Sequence, residues 1–211
     1  MTQYFAVHPR DPQQRLIRQA VDIIRKGGVV VYPTDSCYAL GCHIGDKTAV
    51  ERIRTVRGMD ERHHLTLLCR DLAEVATYAR VNDRQFRVLK AATPGTYAFI
   101  LQATRETPRR LQHPKRKTIG VRIPDHPVTA ALLAALGEPL LTSTLVLPDS
   151  VAPLSEPNEI RWRLANKVDL IIDGGVCGIV PTTVIDLTGE WPVITRRGKG
   201  DTSIFGLTDA T

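Results

Sequence analysis

The sequence predicts a single α/β domain built on a twisted, mostly parallel or mixed sheet. Short apolar segments of strand length alternate with longer segments in which apolar residues recur at helical spacing. The chain has 211 residues, which is enough to bury one well-formed core. Because 43% of the residues are hydrophobic and 24% are charged, the composition is typical of a globular domain.

In the first half of the chain, caps mark the helices and short apolar runs mark the strands. Asp11 and Pro12 are the expected N-cap and first residue of a helix that Gly27 and Gly28 end. The β-branched run 29–32 is a strand that Pro33 ends, because proline cannot donate to a strand ladder. The other predicted elements of this half are a helix at about 47–56 capped by Asp46, helices at 72–79 and 83–89, and strands at 65–69 and 96–102.

The second half continues the alternation. Pro124 ends a strand at 118–123, and His126-Pro127 opens a helix that Gly137 closes. Residues 146–158 contain three prolines and two serines, which favours a loop or a lid. The remaining predicted elements are strands at 140–144, 169–173, 182–187 and 193–196 and a helix at 159–167.

Charge and cysteine usage narrow the classes of function. The formal net charge is +6, which suggests anionic partners such as nucleotides, phosphate groups or nucleic acid. No apolar run is long enough to span a bilayer and no secretory signal is evident, so we expect no membrane partner and a cytoplasmic location. The four cysteines are spaced for neither a disulfide framework nor a zinc site, and no metal site is predicted.

The segment 28–42 is the first candidate site. Three short polar residues, Thr34, Asp35 and Ser36, follow the strand that Pro33 ends, and a small-residue turn is expected at Gly41. Ligands of α/β proteins bind just beyond the carboxyl ends of strands. The segment is therefore either a ligand-binding strand end or an ordinary polar turn.

A basic run between two strands is the second candidate site. Residues 105–117 contain six cations and one acid, and the run leads directly into the strand at 118–123. Clustered lysine and arginine can neutralise phosphates, although such runs are usually solvated connections. The residues expected to contact RNA are Arg109, Arg110, Lys115, Arg116 and Lys117.

Three further patterns bear on ligand binding. Arg122 lies within an apolar strand and needs a carboxylate, which either the protein or a ligand can supply. The stretch TRRGKG at 195–200 lacks the spacing of a Walker phosphate loop. Adjacent histidines at 63 and 64 point in different directions in most local structures and do not predict a metal site.

Several motifs in order resemble the YrdC family of threonylcarbamoyl-adenylate synthases, and most of all its YciO branch. They are YPTDSCYALG at 32–41, PG at 94–95, TIGVRIPDHP at 118–127, LTS at 141–143, PTTVIDL at 181–187 and the late Arg196. The match covers about residues 12–200. The resemblance implies one YrdC-like domain over residues 1–211, with a sheet of the YrdC/RibB-like type and a basic concave face.

The resemblance also implies a set of ligands and roles. The substrates would be ATP, L-threonine and bicarbonate, with magnesium accompanying ATP, and the product would serve tRNA modification. Thr34, Tyr38 and Arg122 would hold threonine, with Arg122 pairing its carboxylate. Thr183 and Arg196 would lie near the nucleotide, and Arg57 and Ser143 would act in catalysis.

Three positions depart from the family pattern. Arg57 stands where the family has lysine, Met59 where it has arginine, and Leu145 where it has asparagine. Each lost transition-state contact typically costs about 10²–10³ in rate, so we expect weak synthase activity or none.

Two classes of function therefore remain. The first is a YciO-like protein that binds double-stranded RNA, tRNA or a nucleotide in a basic cleft. The alternative is an enzyme, a synthase or a hydrolase of threonylcarbamoyl-adenylate.

Overall fold

The computed structural model describes residues 1–60 and 63–205. Its helices are α1 (Gln14–Arg25), α2 (Lys47–Arg57), α3 (Leu72–Tyr78), α4 (Asp83–Ala92), α5 (Pro127–Leu136) and α6 (Pro157–Arg163). Its strands are β1 (Gln3–Ala6), β2 (Val30–Tyr32), β3 (Ala39–His43), β4 (Thr66–Leu68), β5 (Tyr97–Gln102), β6 (Thr118–Arg122), β7 (Leu140–Thr144), β8 (Leu170–Asp173), β9 (Thr183–Asp186) and β10 (Val193–Arg196).

Within the described residues these strands form one ten-stranded sheet in the order β1-β8-β2-β3-β7-β4-β6-β5-β9-β10. Four neighbouring pairs are parallel: β1 with β8, β2 with β8, β4 with β6, and β5 with β9. The other five pairs are antiparallel. The predicted mixed α/β sheet is therefore confirmed.

Strand side chains alternate between two apolar clusters, one on each face of the sheet. In β2, Val31 packs in one cluster, whereas Val30 and Tyr32 pack in the other. The second cluster includes the apolar stripes of α1 and α5, such as Ile17 and Leu132. Because both faces are covered at β2 and β8, these two strands read as continuous apolar runs rather than as alternating ones.

Two strands and one cap differ from the sequence-based expectation. The turn expected at Gly41 is wrong, because Gly41 lies within β3, opposite Val30 of β2. A side chain there would meet the Tyr32 ring at 2.6 Å, so glycine is needed for the close packing of the hairpin. The edge strand β1 was not predicted. Helix α1 is preceded by Gln13, which makes no side-chain capping bond, and not by Asp11.

The remaining predicted elements are present with small shifts at their ends. Asp46 caps α2 by accepting a hydrogen bond from the Ala49 amide at 2.8 Å. The proline-rich segment 146–158 is a loop up to Glu156, and Pro157 begins α6. No helix among the described residues has both the length and the apolar character needed to cross a membrane.

Candidate functional site

A cavity of about 310 Å³ opens on one face of the sheet. Its floor is made by alternate residues of β6 (Thr118, Gly120 and Arg122), while Ile119 and Val121 point into the core on the opposite face. Residues 98–100 of β5 and 142–144 of β7 also line the cavity. We call this cavity the cleft.

The cleft brings together five of the predicted site residues that are far apart in sequence. They are Tyr38, Arg57, Arg122, Ser143 and Arg196. One residue of the predicted RNA-binding run, Arg116, also lines it. Thr34 and Thr183 do not line the cleft and are buried close to it.

The turn after β2 is held by the Thr34 hydroxyl. This oxygen accepts from the amides of Ser36 and Cys37, both at 3.2 Å, and donates to the Cys37 carbonyl at 2.6 Å. The hydroxyl predicted to contact threonine is thus engaged within its own turn. Thr34 shapes the turn that presents Asp35 and Ser36.

Thr183 and Tyr38 are likewise engaged inside the protein. The Thr183 hydroxyl donates to the Gly200 carbonyl at 2.7 Å and accepts from the Gly198 amide at 3.1 Å. The Tyr38 hydroxyl donates to the Gly175 carbonyl at 2.7 Å. These contacts anchor the segments that follow β8 and β10 against the cleft.

Arg122 pairs with a protein carboxylate. Its Nη2 donates to Asp35 Oδ1 and to the Ser36 hydroxyl, the latter at 3.1 Å. Both charged side chains are more than nine-tenths buried. Arg122 Nε and Asp35 Oδ2 are buried and make no hydrogen bond in the described part of the chain.

The internal ion pair resolves one alternative that the sequence left open. Asp35 supplies the carboxylate that Arg122 needs. A ligand carboxylate on Arg122 would have to share the guanidinium with Asp35 or displace it.

Arg57, Met59 and Ser143 contact one another where they line the cleft. Arg57 Nε lies 3.3 Å from Met59 Sδ, and its Nη1 donates to the Val146 carbonyl at 2.8 Å. The Ser143 hydroxyl also points at Met59 Sδ, at 3.7 Å. The thioether therefore occupies the space between the two predicted catalytic groups.

Leu145 behaves differently from Met59. It is fully buried in the apolar core, and its amide donates to the Tyr38 carbonyl at 2.9 Å. The expectation that residue 145 faces the cleft is therefore not met, and Met59 alone brings the apolar replacement into the cavity.

Arg196 ends β10 at the rim of the cleft. Its guanidinium donates to the Thr182 carbonyl at 3.0 and 3.1 Å and to the Thr182 hydroxyl at 3.0 Å. Desolvation lowers the pKa of Arg57, and repulsion by Arg196 lowers it further. Desolvation also lowers the pKa of Arg196. Two guanidinium groups with neutral partners thus face the cleft together, which favours a bound anion.

Histidines that sequence reasoning discounted also line the cleft. His63, His64 and His113 lie at one end, and the rings of His64 and His113 are 4.8 Å apart. Desolvation lowers the pKa of His64, with His113 and Arg116 adding to the effect. The only sequence signal was the HH pair itself, because His113 becomes its neighbour only through the fold.

The rest of the predicted RNA-binding run lies outside the cleft. Arg109, Arg110, Lys115 and Lys117 are exposed. Arg110 donates to the carbonyls of Ile44 and Gly45, both at 2.9 Å. Arg116 pairs with Asp186 at 3.1 Å and links this segment to the cleft.

One further cation was missed by sequence reasoning. Lys199 Nζ donates to the Asp35 backbone carbonyl at 2.6 Å and fastens the turn after β2 to the segment after β10. It lies in the TRRGKG stretch, whose spacing does not match a Walker loop.

The described residues offer no protein-held metal site. Within 1–60 and 63–205, no group of three or more histidine, cysteine, aspartate or glutamate side chains is placed to hold a metal ion. No carboxylate is among the described residues that line the cleft, and Asp35, which adjoins it, is already paired with Arg122. Any magnesium at this site would have to be carried by the phosphates of a nucleotide.

Known proteins are similar to this chain in sequence. The family model Sua5_yciO_yrdC, described as "Telomere recombination", matches residues 22–198. The chain is 57% identical to the Escherichia coli (strain K12) protein YciO over 97% of its own length and 100% of that protein. The threonylcarbamoyl-AMP synthase of Halorhodospira halophila is 33% identical, over 81% of this chain and 89% of the synthase.

Solved structures are similar in fold. The crystal structure of E. coli YciO matches with a TM-score of 0.94 over 97% of this chain and 100% of that chain. The structure of P. abyssi Sua5 complexed with L-threonine matches with a TM-score of 0.86 at 27% identity. It covers 93% of this chain and 58% of the Sua5 chain.

Replacing Asp35 by asparagine should destabilise the protein strongly. The change leaves the buried Arg122 charge without its counter-ion, and breaking a buried pair in this way typically costs about 3–5 kcal/mol. Urea unfolding of the purified variant would measure the loss in the free energy of unfolding.

The matched control is Asp149→Asn. Asp149 pairs with Arg163, but its side chain is 72% exposed, and exposed pairs contribute at most about 1 kcal/mol. Equal losses in the two variants would contradict a structural role for the Asp35–Arg122 pair.

Proposed function

We propose that this chain, which belongs to the Sua5/YciO/YrdC family, binds a nucleotide in its cleft and holds the phosphate between Arg57 and Arg196. The observation that carries the proposal is the convergence of these two guanidinium groups, each with neutral partners, on one cavity. The family assignment rests on the match over residues 22–198 and on 57% identity to YciO. It confirms the resemblance that the sequence motifs predicted.

The electrostatics of the cleft support an anionic ligand. Arg57 and Arg196 repel each other, and a phosphate between them would remove that repulsion. Guanidinium groups suit phosphate because their planar forks donate two parallel hydrogen bonds. The sheet floor beneath them contributes the hydroxyls of Ser143 and Thr182 as further donors.

Arg122 and Asp35 support an amino-acid moiety on the same ligand. P. abyssi Sua5 is known as a complex with L-threonine. In this chain, Asp35 and Arg122 each keep one buried atom without a hydrogen bond. An ammonium group could pair with Asp35 and a carboxylate with Arg122 once the contact between these two side chains opens, because both atoms are shielded from solvent in the free chain.

Catalysis of adenylate formation is proposed to be weak in this chain. The alternative function, a synthase or hydrolase of threonylcarbamoyl-adenylate, is supported by the 33% identity to the H. halophila synthase. Met59, however, places a thioether between Arg57 and Ser143. A thioether carries no charge to stabilise a pentavalent phosphorus. Met59 is therefore expected to lower the rate of adenylate formation more than it lowers ligand affinity.

RNA is a second proposed ligand, on a separate surface. Arg109, Lys115 and Lys117 are exposed and have no carboxylate partner among the described residues. Arg116 joins them to the cleft. A duplex or a tRNA could therefore lie on this basic segment, with its phosphates recognised by charge and shape and not by base sequence.

The nucleotide proposal predicts that Arg196→Gln weakens binding of AMP and ATP. A hydrogen bond to a charged group is worth about 1.5–3 kcal/mol, so the dissociation constant should rise about tenfold or more. Isothermal titration calorimetry measures it directly. Arg109→Gln removes the same charge outside the cleft and should leave affinity unchanged, and equal effects of the two variants would contradict the proposed site.

The synthase comparison predicts slow pyrophosphate release from ATP, L-threonine and bicarbonate. The rate should be at least about 100-fold below that of the H. halophila synthase assayed alongside, because one transition-state contact is missing. Rates within tenfold of each other would show that Met59 does not limit the chemistry.

The RNA proposal predicts a steep salt dependence of binding to a duplex RNA. The triple variant Arg109→Gln, Lys115→Gln, Lys117→Gln should reduce the slope of log affinity against log salt by up to about 0.9 for each lost phosphate contact. Filter binding or fluorescence anisotropy measures that slope. Arg196→Gln is the control variant and should leave this slope unchanged. A wild-type affinity that does not change with salt would count against RNA binding.

A further inference from the structure

We infer that the nucleotide bound in this cleft carries a single phosphate group, so that a nucleoside monophosphate is preferred over a triphosphate. The inference rests on the proposed function and adds the class of ligand. It is carried by the charge balance of the cleft and by the position of Met59.

The charge balance follows from the partners of each cation. Four arginines line the described part of the cleft. Arg122 is neutralised by Asp35, and Arg116 is neutralised by Asp186 at 3.1 Å. Arg57 and Arg196 contact only carbonyl, hydroxyl and thioether groups among the described residues. The cleft therefore presents two uncompensated positive charges.

Two positive charges match one phosphate monoester, which carries a charge of about −2 near neutral pH. A triphosphate adds about two further negative charges. No other arginine or lysine among the described lining residues is available to them. Lys199 is not among the described lining residues, and its ammonium donates to the Asp35 carbonyl.

Met59 limits the space as well as the charge. Its sulfur lies 3.3 Å from Arg57 Nε and 3.7 Å from the Ser143 hydroxyl, so it fills the gap between them. A phosphate chain extended past Arg57 would meet this apolar group instead of a donor. The cavity of about 310 Å³ is also at the small end of the range for ligand sites, about 300–1,000 Å³.

The experiment compares AMP, ADP and ATP by isothermal titration calorimetry with the wild-type chain. Magnesium is omitted so that the phosphate charges are not masked, and ionic strength is low and fixed. Adenosine is the uncharged control. We expect AMP to bind about tenfold more tightly than ATP, with ADP between them, and adenosine to bind more weakly than AMP.

Failures of the two proposals are distinguishable in this series. If ATP binds as tightly as AMP or more tightly, the monophosphate inference is overturned while the nucleotide proposal stands. If none of the three nucleotides binds, the nucleotide proposal falls and the inference falls with it.

Variants at Met59 test whether this residue causes the preference for AMP over ATP. Met59→Arg adds a third cation at the point where the thioether ends the site, so the preference should shift towards ATP by about tenfold. Met59→Leu keeps the apolar volume and should keep the wild-type order. Met59→Lys supplies the charge without the planar guanidinium and is the second charged variant, to be used if Met59→Arg folds poorly. An unchanged AMP-to-ATP ratio in both charged variants would overturn the role given to Met59.

Discussion

The buried ion pair between Arg122 and Asp35 is the interaction on which the site depends. Arg122 ends β6 and Asp35 follows β2, and three strands separate β6 from β2 in the sheet. In a flat sheet that separation would be about 19 Å, since neighbouring strands lie about 4.8 Å apart. The pair therefore ties the end of β6 to the turn after β2 across the three intervening strands, beside the cleft. Lys199 secures the same turn from the other side.

The chemistry of the cleft follows from which arginines are neutralised. Asp35 neutralises Arg122, and Asp186 neutralises Arg116. Arg57 and Arg196 have only neutral partners among the described residues, so their charge is left for a ligand. In the proposed function, Met59 limits how far that ligand extends. Met59 would then favour binding over catalysis, because a thioether can limit the space in a site but cannot stabilise new negative charge.

Local sequence signals predicted much of the fold because they act over a few residues. Proline at 33, the cap at Asp46 and the glycine at 137 each fixed the end of an element. The strand β3 was missed because its residues follow a polar turn and include Gly41, whose place in the strand depends on the Tyr32 ring across the hairpin. Strand β1 was missed because it is short and half-exposed and gains its order from pairing with β8, far along the chain.

The sequence by itself determined the class of fold, the family and several residues that line the cleft, since short motifs in a fixed order carry that information. Only the tertiary structure decided how those residues act. It engaged the hydroxyls of Thr34 and Thr183 in local hydrogen bonds, gave Arg122 a protein carboxylate, and buried Leu145 while turning Met59 into the cleft. It also brought His113 beside His64. These outcomes depend on contacts between residues distant in sequence, which no local pattern encodes.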